Sequence, residues 1–159
     1  MQYIIRQKIL AIRDRFTIKD INDNDVFQVK GSLLAIPKRL KIMDMQGNEL
    51  IQVRHKLIDI MPQFFIIKDG EKIAKVKRKF TLRKKYAVNA KDGEYAIEGD
   101  VWAWNYNILK DGKKIAMVSK RFMAIRDAYV VDVLDESKTL FCIALAIMFD
   151  ESHHDRSNK

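Results

Sequence analysis

The run Leu140-Phe141-Cys142-Ile143-Ala144-Leu145-Ala146-Ile147-Met148-Phe149 has no polar face. It is about half the roughly 20 residues that a membrane-spanning helix needs. Ala, Leu and Met favour a helix, while Ile143 and Ile147 tolerate a strand. A helix that is apolar all round must be buried on every side. Glu136, Ser137 and Lys138 precede it, with Asp135 or Ser137 placed to cap its start. Asp150, Glu151, Ser152, His153 and His154 end it. The expectation is a buried helix over about 138–150 and a polar tail over 152–159. The rest of the chain must therefore wrap around a rod about 10–12 Å across, which one ordinary sheet face cannot do.

The rest of the chain is repetitive. One segment type recurs as Leu10-Ala11-Ile12-Arg13-Asp14-Arg15-Phe16-Thr17-Ile18 and Leu34-Ala35-Ile36-Pro37-Lys38-Arg39-Leu40-Lys41-Ile42. It returns as Ile58-Asp59-Ile60-Met61-Pro62-Gln63-Phe64-Phe65-Ile66 and as Met123-Ala124-Ile125-Arg126-Asp127-Ala128-Tyr129-Val130-Val131. Between these lies a second type: Glu49–Leu57, Lys72–Phe80, Lys114–Phe122 and, more weakly, Val26–Gly31. Each copy of the second type alternates apolar and polar residues and is rich in β-branched side chains, which marks strands. The strong copies end in a basic cluster. The connecting residues are turn formers: Asn22-Asp23-Asn24-Asp25, Gln46-Gly47-Asn48, Asp69-Gly70, Asp92-Gly93 and Asp111-Gly112. Asp-Gly supplies the positive φ angles of tight hairpins.

One opening strand over Tyr3–Ile9, five hairpins starting near Phe16, Leu40, Phe64, Tyr86 and Tyr106, and a closing strand from Asp127 give twelve strands. Short connections make sequence neighbours antiparallel neighbours in space. Eight strands close around side chains alone, whereas a wider barrel holds a central helix. The expected architecture is all-β with one helix: a closed twelve-stranded antiparallel barrel enclosing the C-terminal helix, one domain over 1–151. The inward residues then pack on the helix and the lysines alternate outward.

This order of segments resembles the bacterial, YxjI-like branch of the LURP-one-related family, within the tubby C-terminal-like superfamily. The likeness rests on Tyr3-Ile4-Ile5-Arg6-Gln7-Lys8, Phe16-Thr17-Ile18-Lys19-Asp20 and Val26-Phe27-Gln28-Val29-Lys30-Gly31. Asp44-Met45-Gln46-Gly47-Asn48-Glu49-Leu50, Glu98-Gly99-Asp100-Val101-Trp102-Ala103 and the apolar tail helix complete it. It covers essentially the whole chain and implies the same barrel around a helix. The chain departs from the pattern in a shorter, more polar tail after Asp150 and in the basic stretch Lys75–Lys85. Relatives of the family, the tubby-like proteins and phospholipid scramblases, are associated with phosphoinositide and anionic phospholipid membranes. The resemblance thus implies an anionic membrane ligand and no established catalysis.

Thirty Lys and Arg against 21 Asp and Glu leave a formal net charge of +9. Such a surface favours anionic partners. One Cys excludes an internal disulfide, and 48% hydrophobic residues argue against disorder. The first residues lack an apolar leader core and a small-residue cleavage site, so a cytoplasmic protein is expected, peripheral to a membrane if it touches one.

Catalytic signals are sparse. His55 stands where the repeat elsewhere has Arg78 and Lys120, so it reads as another basic rim residue. His153 and His154 lie among Asp150, Glu151 and Asp155, but zinc signatures are absent and solvated tail histidines are the plainer reading. Cys142 sits in an apolar run that disfavours a thiolate. No nucleophile elbow, P-loop or dinucleotide fingerprint occurs. No enzyme, cofactor or metal is expected.

The basic clusters are the functional candidates. Lys75, Lys77 and Lys79 share one strand face about 6.8 Å apart, with Arg83, Lys84 and Lys85 following. Lys38, Arg39 and Lys41, and Lys120 and Arg121, repeat the theme. Converging at one barrel rim, they would form a patch for phospholipid headgroups. Dispersed, they would serve solubility alone. A structural or protein-interaction domain and a non-specific nucleic-acid binder are the alternatives. Trp102, Trp104 and Tyr106 alternate in one strand, a spacing that suits a stacking face but is more simply read as a packed inner face. Lys is a poor reader of base edges, which weakens the nucleic-acid reading. A monomer is expected, with no protein partner indicated.

Overall fold

The apolar helix and the repeat resolve together in a computed structural model. It describes residues 1–6, 15–32, 38–56, 62–79, 86–121 and 128–157, the last five by backbone only. The strands are β1 (Gln2–Arg6), β2 (Arg15–Asp20), β3 (Asp25–Ser32), β4 (Arg39–Met43), β5 (Glu49–Lys56) and β6 (Gln63–Lys68). They continue as β7 (Glu71–Arg78), β8 (Tyr86–Ala90), β9 (Gly93–Asp100), β10 (Asn105–Lys110), β11 (Lys113–Arg121) and β12 (Ala128–Val133). Each strand pairs with its sequence neighbours, and β1 pairs with β12, so the sheet closes into an antiparallel barrel. This is the twelve-stranded barrel expected. The Leu-Ala-Ile part of each first-type repeat, and Asp127, lie outside the described residues.

Alternation sets the two faces of the wall. Ile5, Ile18, Val29, Ile42, Val53, Ile66, Val76, Ile108, Val118 and Val131 are buried inward, and their neighbours in sequence are more exposed, with Met43, Gln52 and Ile67 as buried exceptions. The repeat reaches down to the register. β2, β4, β6 and β10 each shift by one residue after Ile18, Ile42, Ile66 and Ile108 respectively, close to the hairpin. A bulge at the same place in four hairpins adds local twist, which helps the wall curve closed. Asp69 and Gly70 (φ +50° and +76°) and Asp111 and Gly112 (the same pair of values) make the left-handed turns that Asp-Gly was expected to make.

Two longer hairpins share one side-chain device. Asp20 Oδ1 accepts from the backbone N–H of Asn22 (2.8 Å) and Asn24 (2.9 Å), and Asn24 Nδ2 donates to Asp20 Oδ2 (3.0 Å). Asp44 does the same with Gln46 (2.9 Å) and Asn48 (2.8 and 2.7 Å). These bonds, those from the Asn side chains foremost, hold both carboxyls below their ordinary range.

The chain then turns inward. Asp135 accepts from the backbone N–H (3.1 Å) and the hydroxyl (2.7 Å) of Ser137, capping a single 3-10 turn over Glu136–Lys138. Helix α1 (Thr139–Ser157) follows, and Phe141–Phe149 are buried without exception. The helix runs past the expected end at 150 to Ser157, and Ser152 Oγ donates back to Met148 O (3.0 Å). Its direction is fixed by ring contacts. Phe141 meets Tyr95, near the hairpin end of β9, at 4.6 Å, and Phe149 meets Tyr86 at 4.5 Å and Tyr106 at 5.6 Å, both at the opposite end. Cys142 is buried with them, which pushes its thiol up to about 12 and keeps it protonated.

Ala144 is 0% exposed in the middle of this helix. Ala144→Asp places an uncompensated carboxylate there. The expected outcome is loss of soluble, cooperatively melting protein, checked by far-UV circular dichroism. A folded variant would overturn the buried helix.

Candidate anion-binding surface

The topology sorts the charges. All hairpins β2–β3, β4–β5, β6–β7, β8–β9 and β10–β11 turn at one end, which carries Asp20, Asp23, Asp44, Asp69, Asp92 and Asp111. Four cations at that hairpin end are paired locally, while Lys68, Lys72, Lys113 and Lys114 stand exposed beside the same turns. Lys19 meets Asp23 at 3.0 Å, Lys110 meets Asp111 at 2.8 Å, Lys138 meets Asp92 at 2.5 Å, and Lys91 pairs with Glu71. Exposed ion pairs of this kind contribute little to stability, but they cancel charge.

The opposite end is different. Arg6, Arg15, Lys30, Arg39, Lys75, Lys77, Lys79 and Arg121 lie toward it and are exposed. None of these is ion-paired among the described residues.

Register stacks several of them. On the outer face Lys30 stands directly opposite Arg15 on β2 and Lys41 on β4. Arg39 stands directly opposite Arg54 on β5. The row continues from Arg54 across Phe65 to Lys75 on β7. Like charges at opposed positions are destabilising by roughly 0.2–1 kcal/mol per pair. Only partial relief is visible: Lys41 pairs with Glu49 at 2.7 Å, and Arg54 Nη2 donates to Gln52 Oε1 at 3.2 Å.

Of the residues picked from the sequence, Arg39, Lys41, Lys75 and Lys77 fall on strands β4 and β7, with Lys38 just before β4 and Lys79 just after β7. Lys38, half-buried, accepts at its carbonyl from the His55 N–H (3.0 Å), which ties the start of β4 to β5. Lys120 and Arg121 end β11, on another arc of the same rim. Arg83, Lys84 and Lys85 lie outside the described residues. Sequence reasoning missed Arg15, Lys30 and Arg54. Arg54 lies in the basic cluster that ends the Glu49–Leu57 copy, whereas Arg15 and Lys30 stand in shorter, mixed stretches. Arg15 does occupy the repeat position of Arg39, and that equivalence was the available signal.

Two other expectations come out differently or in finer form. Trp102 and Trp104 do not share a strand face with Tyr106. They sit in the turn 101–104 between β9 and β10, and only Tyr106 is in a strand. His55 faces the rim and stacks on Phe64, with ring centroids 4.6 Å apart, so it is a half-buried packing residue as well as a rim residue.

Under the basic end the helix carries two carboxyls inside the barrel. Asp150 is 3% exposed and Glu151 7%. Burial, with Glu151 beside it, pushes the Asp150 carboxyl up to about 7. The hydroxyls of Tyr106 and Tyr129 are buried nearby with no hydrogen-bond partner among the described residues. Burial first, and the Asp150 charge second, hold both phenols well above their ordinary range.

A barrel filled by its own helix, with its charge on the outer wall, has the form of a binding module of the tubby C-terminal-like fold. The comparisons with known proteins agree. The profile of the LURP-one-related family matches residues 1–150. The uncharacterized protein YxjI of Bacillus subtilis (strain 168) is 29% identical over 151 residues, covering 94% of this chain and 92% of that protein. An X-ray structure of a protein from Arabidopsis thaliana superposes with a TM-score of 0.60 at 17% identity, over 91% of this chain and 88% of that one, a likeness of fold. The chain belongs to the LURP-one-related family. None of these descriptions names an enzymatic activity. No helix among the described residues is long and apolar enough to cross a membrane.

The Asp150 shift has a definite sign. A carboxyl raised from 3.8 to about 7 ionises less readily folded than unfolded, so stability falls as pH rises between those values and is level above. Asp150→Asn removes that loss. Its melting temperature is expected to match the parent at pH 4 and exceed it by several degrees at pH 8. An equal gap at both pH values would show that the carboxyl is not ionising against its burial.

Proposed function

We propose that this protein is a non-enzymatic binding module that recognises anionic phospholipid headgroups at a membrane face, through the outer wall of β2–β7 at the basic end. The observation that carries the reading is the register of like charges: Arg15, Lys30 and Lys41 across three strands, and Arg39 against Arg54. Folding alone disfavours this arrangement, and a layer of fixed negative charge relieves it. Each Lys or Arg near an anionic leaflet contributes about 1 kcal/mol, so a handful hold a protein loosely and reversibly. A cytoplasmic protein that visits the membrane peripherally fits that strength.

Nucleic acid offers the same charge but needs exposed rings for stacking. On the basic wall Phe65 is covered by Lys72, whose Nζ lies 4.4 Å from the ring centroid. Among the described residues, a lysine-rich strip with no succession of exposed rings along it favours the lipid surface.

Binding is tested by co-sedimentation with vesicles of phosphatidylcholine and phosphatidylserine. The protein is expected to pellet at low salt and to be released as salt rises, because screening shortens the reach of each charge. Lys75→Glu with Lys77→Glu and Lys79→Glu is expected to abolish pelleting with little change in melting temperature. Arg39→Gln is expected to weaken pelleting yet raise the melting temperature by about 1–3 °C, since it relieves the pair with Arg54. Absence of pelleting at low salt, or retention of duplex DNA in its place, would overturn the lipid reading.

A further inference from the structure

The turn joining β9 to β10 holds both tryptophans of the chain, and it is built at a conformational cost. Trp104 has φ +49°, a left-handed conformation that a bulky residue rarely adopts. Gly99 has φ +114°, and a Cβ there would lie 2.4 Å from the Asn105 carbonyl oxygen, so only glycine lets β9 and β10 approach. Asp100 Oδ1 then pins the turn, accepting from the N–H of Trp102 (2.8 Å) and Ala103 (3.2 Å). Backbone strain held by such bonds tends to mark functional positions.

The two rings have different surroundings. Trp104 packs toward the barrel interior against Tyr129, with ring centroids 6.2 Å apart. Trp102 is half-buried at the rim, with the Arg78 guanidinium 5.8 Å from its ring centroid. Arg78 ends the strand that carries Lys75 and Lys77, so Trp102 borders the unpaired lysines of β7. A half-exposed indole ring next to a row of lysines suits the boundary between headgroups and acyl chains.

We infer that Trp102 is a membrane anchor: the barrel docks with its basic end toward the bilayer, β7 against the headgroups and the Trp102 ring in the interfacial layer. This rests on the lipid-surface reading above and adds to it a depth and an orientation. The carboxylate-bearing hairpin end then faces away from the anionic leaflet. Charge alone would let the module adsorb at any angle that brings lysines close. The indole selects one.

Because the chain has only these two tryptophans, its tryptophan fluorescence, excited selectively over tyrosine, reports on this turn alone. Trp104→Phe leaves Trp102 as the sole fluorophore. The vesicles are phosphatidylcholine and phosphatidylserine, brominated high on the acyl chain. Trp102 emission is expected to shift to the blue and to be quenched on binding, and Trp102→Ala is expected to weaken co-sedimentation about tenfold. Should either variant fail to fold, blue shift and quenching in the unmodified protein still decide the matter. Pelleting with no spectral change, and with Trp102→Ala equal to the parent, would overturn the anchor while leaving the lipid reading intact. Failure of the unmodified protein to pellet at low salt would overturn both.

Discussion

Everything in this molecule depends on enclosing one helix that has no polar side. Phe141–Phe149 can face only apolar atoms, so the wall must go all the way round. That demand sets the strand number, since a narrower barrel fills with its own side chains. It also sets the chemistry. An interior occupied by the helix leaves the outer wall and the two ends to meet a partner. Asp150 and Glu151 mark where the enclosure ends: the helix is still inside the wall when its sequence turns acidic.

The same wall separates charge along its axis. Alternation sends every second side chain outward, and the up-and-down order brings all the tight hairpins to one end. Hairpin turns select Asp, Asn and Gly for their conformations and local hydrogen bonds. The carboxylates of the hairpin end are therefore partly a by-product of turn chemistry, as Asp20 and Asp44 show by spending their oxygens on their own loops. The basic end has no such excuse. Arg39 against Arg54 satisfies no turn and no core requirement, and it works against the sheet.

The fold was legible in the sequence because its two determinants are local. Period-two alternation, Asp-Gly turns and an unbroken apolar run can each be read within a few residues of one another. The placement of Lys75 and Lys77 on one face was legible for the same reason. Arg15, Lys30 and Arg54 were not found, because what brings each beside another cation is the exact register of a hairpin, which alternation within one strand does not reveal. The tryptophan turn was misread for a related reason. Val101-Trp102-Ala103-Trp104 alternates as a strand would, and the bonds from Asp100 together with the close approach at Gly99 bend it into a turn.

Closure of the wall by β1 against β12 has a consequence for how the protein is made. β1 is made before the other described strands yet meets its partner β12 only after all of them, and the helix that fills the centre follows later still. Until then, eleven strands' worth of inward Ile, Val and aromatic side chains have nothing to pack on. Nascent chains of this topology accumulate exposed apolar faces and unpaired edges, the features that chaperones bind. The helix, translated after all twelve strands, is the segment that covers their inward faces.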